Sequence, residues 1–110
     1  MTVSNYKKGR RFEYQVRKEL EEMGLFCVRQ AKSAFPDIIA VDVNCVWVVE
    51  CKYNGYLSKS EKEALWELYA RYGVIPIFAS KKKGQARPNY RLAPLPECLQ
   101  DETKKGEAGE

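Results

Sequence analysis

The chain has 110 residues, which suits one compact domain and leaves little room for a second. It contains no histidine, which excludes serine or cysteine triads with a histidine base, histidine-metal nucleases and histidine-containing zinc sites. The net charge of +4 is uneven: residues 94–110 carry −3, leaving +7 on residues 1–93, and a basic body suits a polyanionic partner.

No apolar run approaches the ~20 residues of a membrane-spanning helix, and the N-terminus lacks the apolar stretch of a signal peptide. A cytoplasmic protein without a membrane partner is therefore expected. Cys27, Cys45, Cys51 and Cys98 fall at no metal-ligand spacing and form no CxxC pair. Cys27, Cys45 and Cys51, flanked by apolar residues or in strand-like runs, read as reduced packing residues.

The first element is a helix over about residues 4–23, where Gly9, Phe12, Val16, Leu20 and Met23 recur at helical spacing. Gly24 supplies its stop. A short β-prone segment covers residues 25–29, and a loop through Lys32 and Ser33 leads to Pro36. Residues 37–41 and 45–52 read as two strands joined by a tight turn at Val43-Asn44. Capping boxes are available from Ser58 to Glu61 or from Ser60 to Glu63. The helix that follows is expected to bury Ala64, Leu65, Leu68 and Tyr72 and to end at Gly73. Residues 74–79 form a further strand, in which Pro76 argues for an edge or a bulge. After the basic turn Lys81-Lys82-Lys83-Gly84, a last strand lies near residues 89–92. The order is α-β-β-β-α-β-β. Because the strand–helix–strand portion needs a crossover, the reading is an α/β sandwich with a mixed sheet and flanking helices.

The two middle strands are apolar on both faces, as buried strands are, yet Asp37, Glu50 and Lys52 interrupt them. With the turn centred on Val43-Asn44, paired residue numbers sum to 87. Asp37 then stands opposite Glu50, about 5 Å away at Cβ, and Lys52 projects from the same face. Facing carboxylates repel unless a cation lies between them. Magnesium prefers oxygen ligands and keeps waters for substrate phosphates. It neutralises charge on a phosphodiester and lowers the pKa of a bound water, while a neighbouring lysine stabilises the developing negative charge. Glu13 falls within the apolar stripe of the first helix, where it calls for either a place near the metal or a buried ion pair with Arg10 or Arg17.

Pro36-Asp37 followed by Glu50-Cys51-Lys52 resembles the PD-(D/E)XK nuclease signature. Residues 8–13 (Lys-Gly-Arg-Arg-Phe-Glu) and the segment from Val28-Arg29 to Ser33 resemble the archaeal-type Holliday junction resolvases, over roughly residues 6–93. The resemblance implies a restriction-endonuclease-like sandwich and a two-fold homodimer that cuts four-way DNA junctions with paired symmetric nicks. It also implies magnesium, with manganese able to substitute. Carried across by motif, Glu13, Asp37, Glu50 and Lys52 would be catalytic, Ser33 would touch DNA beside the active site, and the Cys51 carbonyl would complete the metal shell of Glu13, Asp37 and Glu50. The nuclease domain would cover residues 1–96, with residues 97–110 a disordered charged tail, in a prokaryotic cell or a virus-infected host.

Lys7, Lys8, Arg10, Arg11, Arg29, Lys32 and Ser33, with Lys81, Lys82 and Lys83, are candidate DNA contacts. Trp66, Tyr69, Tyr72 and Phe78 exceed what one small core must bury, and some of them are expected at the dimer interface. Two alternatives stay open. One is a viral replication-repair or restriction-like nuclease of the same superfamily acting on other DNA structures; the other is a non-catalytic DNA-binding module.

Overall fold

The structure is a computed structural model that describes residues 5–30 and 35–94. Lys32, Ser33, Cys98 and the expected tail over residues 97–110 lie outside the described residues. The elements are α1 (Asn5–Glu22), β1 (Phe26–Arg29), β2 (Ile38–Val41), β3 (Val46–Tyr53), α2 (Lys59–Tyr72), β4 (Ile75–Lys81) and β5 (Asn89–Leu92). This is the order expected from the sequence. The five strands form one sheet in chain order, β1-β2-β3-β4-β5. The β3–β4 pair is parallel and joined through α2, and the other pairs are antiparallel.

The β2–β3 register is Ile38↔Val49 through Val41↔Val46, so paired numbers sum to 87 as expected. The turn itself fixes that register. Asp42 Oδ1 accepts the Asn44 and Cys45 amides at 2.8 and 2.7 Å, and the Asp42 amide donates to the Cys45 carbonyl at 3.0 Å. An aspartate that bonds its own turn in this way leaves the flanking strands one pairing.

A helix covers each face of the sheet. Phe12 and Val16 of α1 pack on Ile38, Val49 and Ala79. On the other face Leu65 of α2 packs with Val48, Leu57, Phe78 and Ala93. Successive residues of β3 therefore enter different cores, and that is why the strand reads as a continuous apolar run. Helix α2 starts with the Ser58–Glu61 capping box and ends on left-handed Gly73. No helix among the described residues is long and apolar enough to cross a membrane.

Four expectations are corrected. Pro76 lies in an inner strand, between β3 and β5, and is buried. Continuing the β4–β5 register one residue past β5, Pro76 faces Ala93, whose amide donates to the Pro76 carbonyl at 3.0 Å. In a regular ladder the Ala93 carbonyl would receive an amide from position 76; here it accepts the Trp66 indole N–H at 2.9 Å instead. The missing donor is thus replaced by a side chain, so neither an edge nor a bulge is needed. Met23 lies beyond the end of α1 and is exposed, as is Tyr72 in the last turn of α2. Phe78 belongs to the core rather than to an apolar surface.

Candidate active site

The charged residues that interrupt the apolar strands meet at one end of the sheet. A cleft of about 530 Å³ there is lined by Glu13, Arg29, Asp37, Glu50, Cys51 and Lys52, along with Arg10 and the first turns of α2. Asp37 precedes β2 by one residue and continues its register opposite Glu50. Two hydrogen bonds hold the pair: the Asp37 amide donates to Glu50 Oε1 at 3.2 Å, and the Cys51 amide donates to Asp37 Oδ2 at 2.8 Å. In an extended strand a residue's amide and carbonyl point to the same neighbour, so the Cys51 carbonyl also turns toward Asp37.

Glu13 reaches this cleft from α1, one helical position after buried Phe12 and three before buried Val16. Its cationic partner is Arg29 of β1, with Nη2 3.5 Å from Oε2, whereas Arg17 pairs with Glu21 on the same helix. Lys52 continues the Val48–Glu50 face of β3 and is held between two carboxylates. Its Nζ lies 2.6 Å from Glu61 Oε2 and 3.7 Å from Glu50 Oε2.

Glu61 was not among the sequence candidates. The sequence marks it as the third residue of a capping box, and it does fill that role, with Oε1 accepting the Ser58 amide at 2.8 Å. Its second oxygen is the one that clamps Lys52. Only the docking of α2 against the end of β3 brings those two groups together.

The electrostatics are those of an acid-rich pocket short of positive charge. Glu50 is buried, and burial together with the charge and hydrogen bonding of Asp37 pushes its pKa up to about 9, against the pull of Lys52. Burial, then Asp37, also raises Glu13, although Arg29 opposes the shift. For Lys52, burial favours the neutral amine, but the Glu61 hydrogen bond and charge, followed by Glu50 and Asp37, outweigh it and raise its pKa. Burial and the three surrounding carboxylates push the Cys51 thiol well up, so it stays protonated and any donor from Cys51 is its carbonyl.

Among the described residues no three acidic or thiol side chains already form a ligand cage. Asp37 is instead the shared neighbour of Glu13 and Glu50, and the carboxyl groups interact through hydrogen bonds. Burial and crowding beside Asp37 disfavour the ionised forms of Glu13 and Glu50, and a hard divalent cation would relieve that cost. The donor set therefore fits such an ion.

The basic candidates lie around the cleft. Arg10 and Arg29 are part of its wall. Lys8 and Arg11 share an adjoining depression with Lys81, and Lys81 continues into a further one with Lys82 and Lys83. Exposed Lys7 lies one residue before Lys8 on the same helix.

The protein-family model described as archaeal Holliday junction resolvase (Hjc) matches residues 4–107. The chain is 32% identical over 84 residues to the crossover junction endodeoxyribonuclease Hjc of Methanocaldococcus jannaschii. That match covers 73% of this chain and spans 63% of the relative's length. It is also similar to the solved structure of Archaeoglobus fulgidus Hjc, a Holliday junction resolvase, with a TM-score of 0.66 and 28% identity, covering 78% of this chain and 73% of that one. With a family match over almost all of its residues and the same fold in a solved relative, the chain belongs to the archaeal Holliday junction resolvase (Hjc) family.

Proposed function

We propose that the chain is an endonuclease that hydrolyses DNA phosphodiester bonds at four-way junctions, acting as a two-fold homodimer with paired symmetric nicks. The observation that carries this reading is the Asp37–Glu50 pair, hydrogen-bonded across the sheet end with Lys52 beside it in an acid-lined cleft. Family membership and the activities named for the two relatives support the choice of branched DNA as substrate.

Glu13, Asp37 and Glu50, with the Cys51 carbonyl, would hold a divalent cation, magnesium or manganese, which when bound neutralises phosphate charge and acidifies water. Lys52 keeps its proton and presents a fixed positive charge where negative charge develops on the scissile phosphate. Glu61 positions Lys52, and Arg29 positions Glu13. Arg10, Arg11, Arg29, Lys7, Lys8 and Lys81–Lys83 contact phosphates, together with Lys32 and Ser33. Two cuts in one junction need two sites, and a chain with one site supplies the second from a second copy. Exposed Tyr69 and Tyr72 on α2 are available for that contact. Residues 1–96 form the nuclease domain, residues 97–110 are a charged appendage, and the protein works in the cytoplasm.

The test is incubation with labelled four-way, flapped and linear DNA, with and without magnesium. Paired nicks on the four-way substrate that require the metal are expected. Asp37→Asn, Glu50→Gln and Lys52→Ala should each lower cleavage roughly 100-fold or more while junction binding persists. Full cleavage by Asp37→Asn would refute the site, and equal cleavage of flap or linear DNA would return the protein to a general nuclease. A monomer in sedimentation at micromolar concentration, together with single uncoupled nicks, would remove the dimer.

A further inference from the structure

Beyond the acidic cleft lies a second concavity of about 750 Å³, lined by Asn54, Tyr56, Lys81, Lys82, Lys83 and Arg91 among others. Among the described residues four cations line it, and no carboxylate does. It is built where two loops meet at the carboxyl ends of the parallel strands β3 and β4. Asn54, in the left-handed region at φ 55, joins them. Its amide donates to the Lys81 carbonyl at 2.8 Å, and its Oδ1 accepts the Lys83 amide at 2.7 Å.

Tyr56 stands on this platform. Its residue is 77% exposed, while the next, Leu57, is buried in the α2-side core, and Ser58 caps α2. The ring therefore projects from a loop anchored on both sides. The loop also touches the candidate catalytic lysine: a Cβ on Gly55 would lie 3.6 Å from Lys52 Cβ. An exposed aromatic ring among cations, on a loop that touches the lysine of the nuclease cleft, matches the stacking platforms that hold unpaired bases.

We infer that Tyr56 and the surrounding lysines and Arg91 form a subsite for an unstacked nucleotide at the branch of the DNA, the ring stacking on the base and the cations holding its flanking phosphates. The inference rests on the junction-nuclease reading above. It also gives a physical source of discrimination. In continuous duplex both faces of each internal base are already covered, so Tyr56 finds nothing to stack on. At a branch point a base can turn out and expose one.

The test uses the full chain in chelator, so that no cleavage occurs. Affinity is measured for a four-way junction and for linear duplex, and 2-aminopurine is placed at the branch nucleotides. Tyr56→Ala is expected to weaken junction binding about tenfold, and Tyr56→Phe to remain close to wild type. Duplex affinity should stay the same in all three. Fluorescence quenching should occur with the wild type and Tyr56→Phe but not with Tyr56→Ala. Unchanged junction affinity in Tyr56→Ala overturns the subsite, as does equal weakening on duplex. Should the wild type neither prefer nor cut the junction, the resolvase reading fails by itself. The subsite is then decided on single-stranded 2-aminopurine DNA, where quenching lost only in Tyr56→Ala supports it and quenching by none, or by all three, overturns it.

Discussion

Ionising Glu50 beside Asp37 in a buried pocket is unfavourable, and its pKa near 9 shows how strongly the metal-free protein prefers to keep that proton. The unfolded chain would lose it near pH 4.3. A folded-state pKa above the unfolded one means that the native state binds the extra proton between those values. Its stabilising contribution is then complete below the unfolded pKa and is lost as pH rises through the folded one. In chelator the melting temperature should therefore fall from pH 5 to pH 9. Glu50→Gln should flatten that slope and melt higher than the wild type at pH 9, because its amide has no proton to lose. Identical slopes in the two proteins would contradict the burial and Asp37 coupling of Glu50. Adding magnesium should raise the melting point most at the alkaline end, where the cation no longer competes with the proton. Glu61 behaves oppositely. Burial opposes its ionisation, but the Lys52 hydrogen bond and the helix cap lower its pKa, so its contribution is lost as pH falls.

At the scale of elements, β3 organises the molecule by placing Val48 in one core, Val49 in the other, and Glu50 and Lys52 further along the Val48 face, in the acidic cleft. Its parallel partner β4 tolerates Pro76 because Trp66 supplies the hydrogen bond that proline cannot. Trp66 Nε1 lies 2.9 Å from both the Ala93 and Pro94 carbonyls, which ties α2 to the end of β5. Trp66→Phe removes that donor and should cost about 1–3 kcal/mol in urea unfolding. Pro76→Ala restores a backbone N–H facing Ala93, so in the Trp66→Phe background it should cost less, or gain more, than in the wild type. The double-mutant cycle measures the difference directly. Strict additivity would show that the indole does not stand in for the missing amide.

Across the described residues, cations from separate elements line the acidic cleft and two basic concavities joined at Lys81. Arg29 of β1 and Arg10 of α1 border the cleft, Lys8 and Arg11 adjoin Lys81, and Lys81–Lys83 lead to Arg91 of β5. Lys81 Nζ donates to Gln15 Oε1 at 2.9 Å, bridging the β4–β5 turn to α1. Phosphate contacts along these surfaces release counterions, so junction affinity should fall with salt at a log–log slope near −0.9 for each phosphate neutralised. Substituting alanine at Lys81, Lys82 and Lys83 together should make the slope shallower by roughly 2 to 3. The clamp through the Lys81 carbonyl and Lys83 amide uses backbone atoms and survives the change. A slope equal to that of the wild type would assign the run to solvent exposure alone.

The amino-acid sequence by itself determined what local physics controls. Element order followed from hydrophobic periodicity and turn residues. The Asp37–Glu50 juxtaposition followed from a tight turn centred on Val43-Asn44 and the period of two along a strand, since one fixed register places every side chain. Even the capping box that contains Glu61 could be read in advance. The packed fold decided what depends on side chains distant in sequence. Arg29 rather than Arg17 became a partner of Glu13 because β1 docks under α1. Glu61 reached Lys52 because α2 begins at the end of β3. Pro76 entered an inner strand because an indole 10 residues earlier could replace its amide. Tyr72 and Met23 stayed outside because helical angle gives direction only, while burial also requires an opposing surface, and at the ends of both helices that surface runs out.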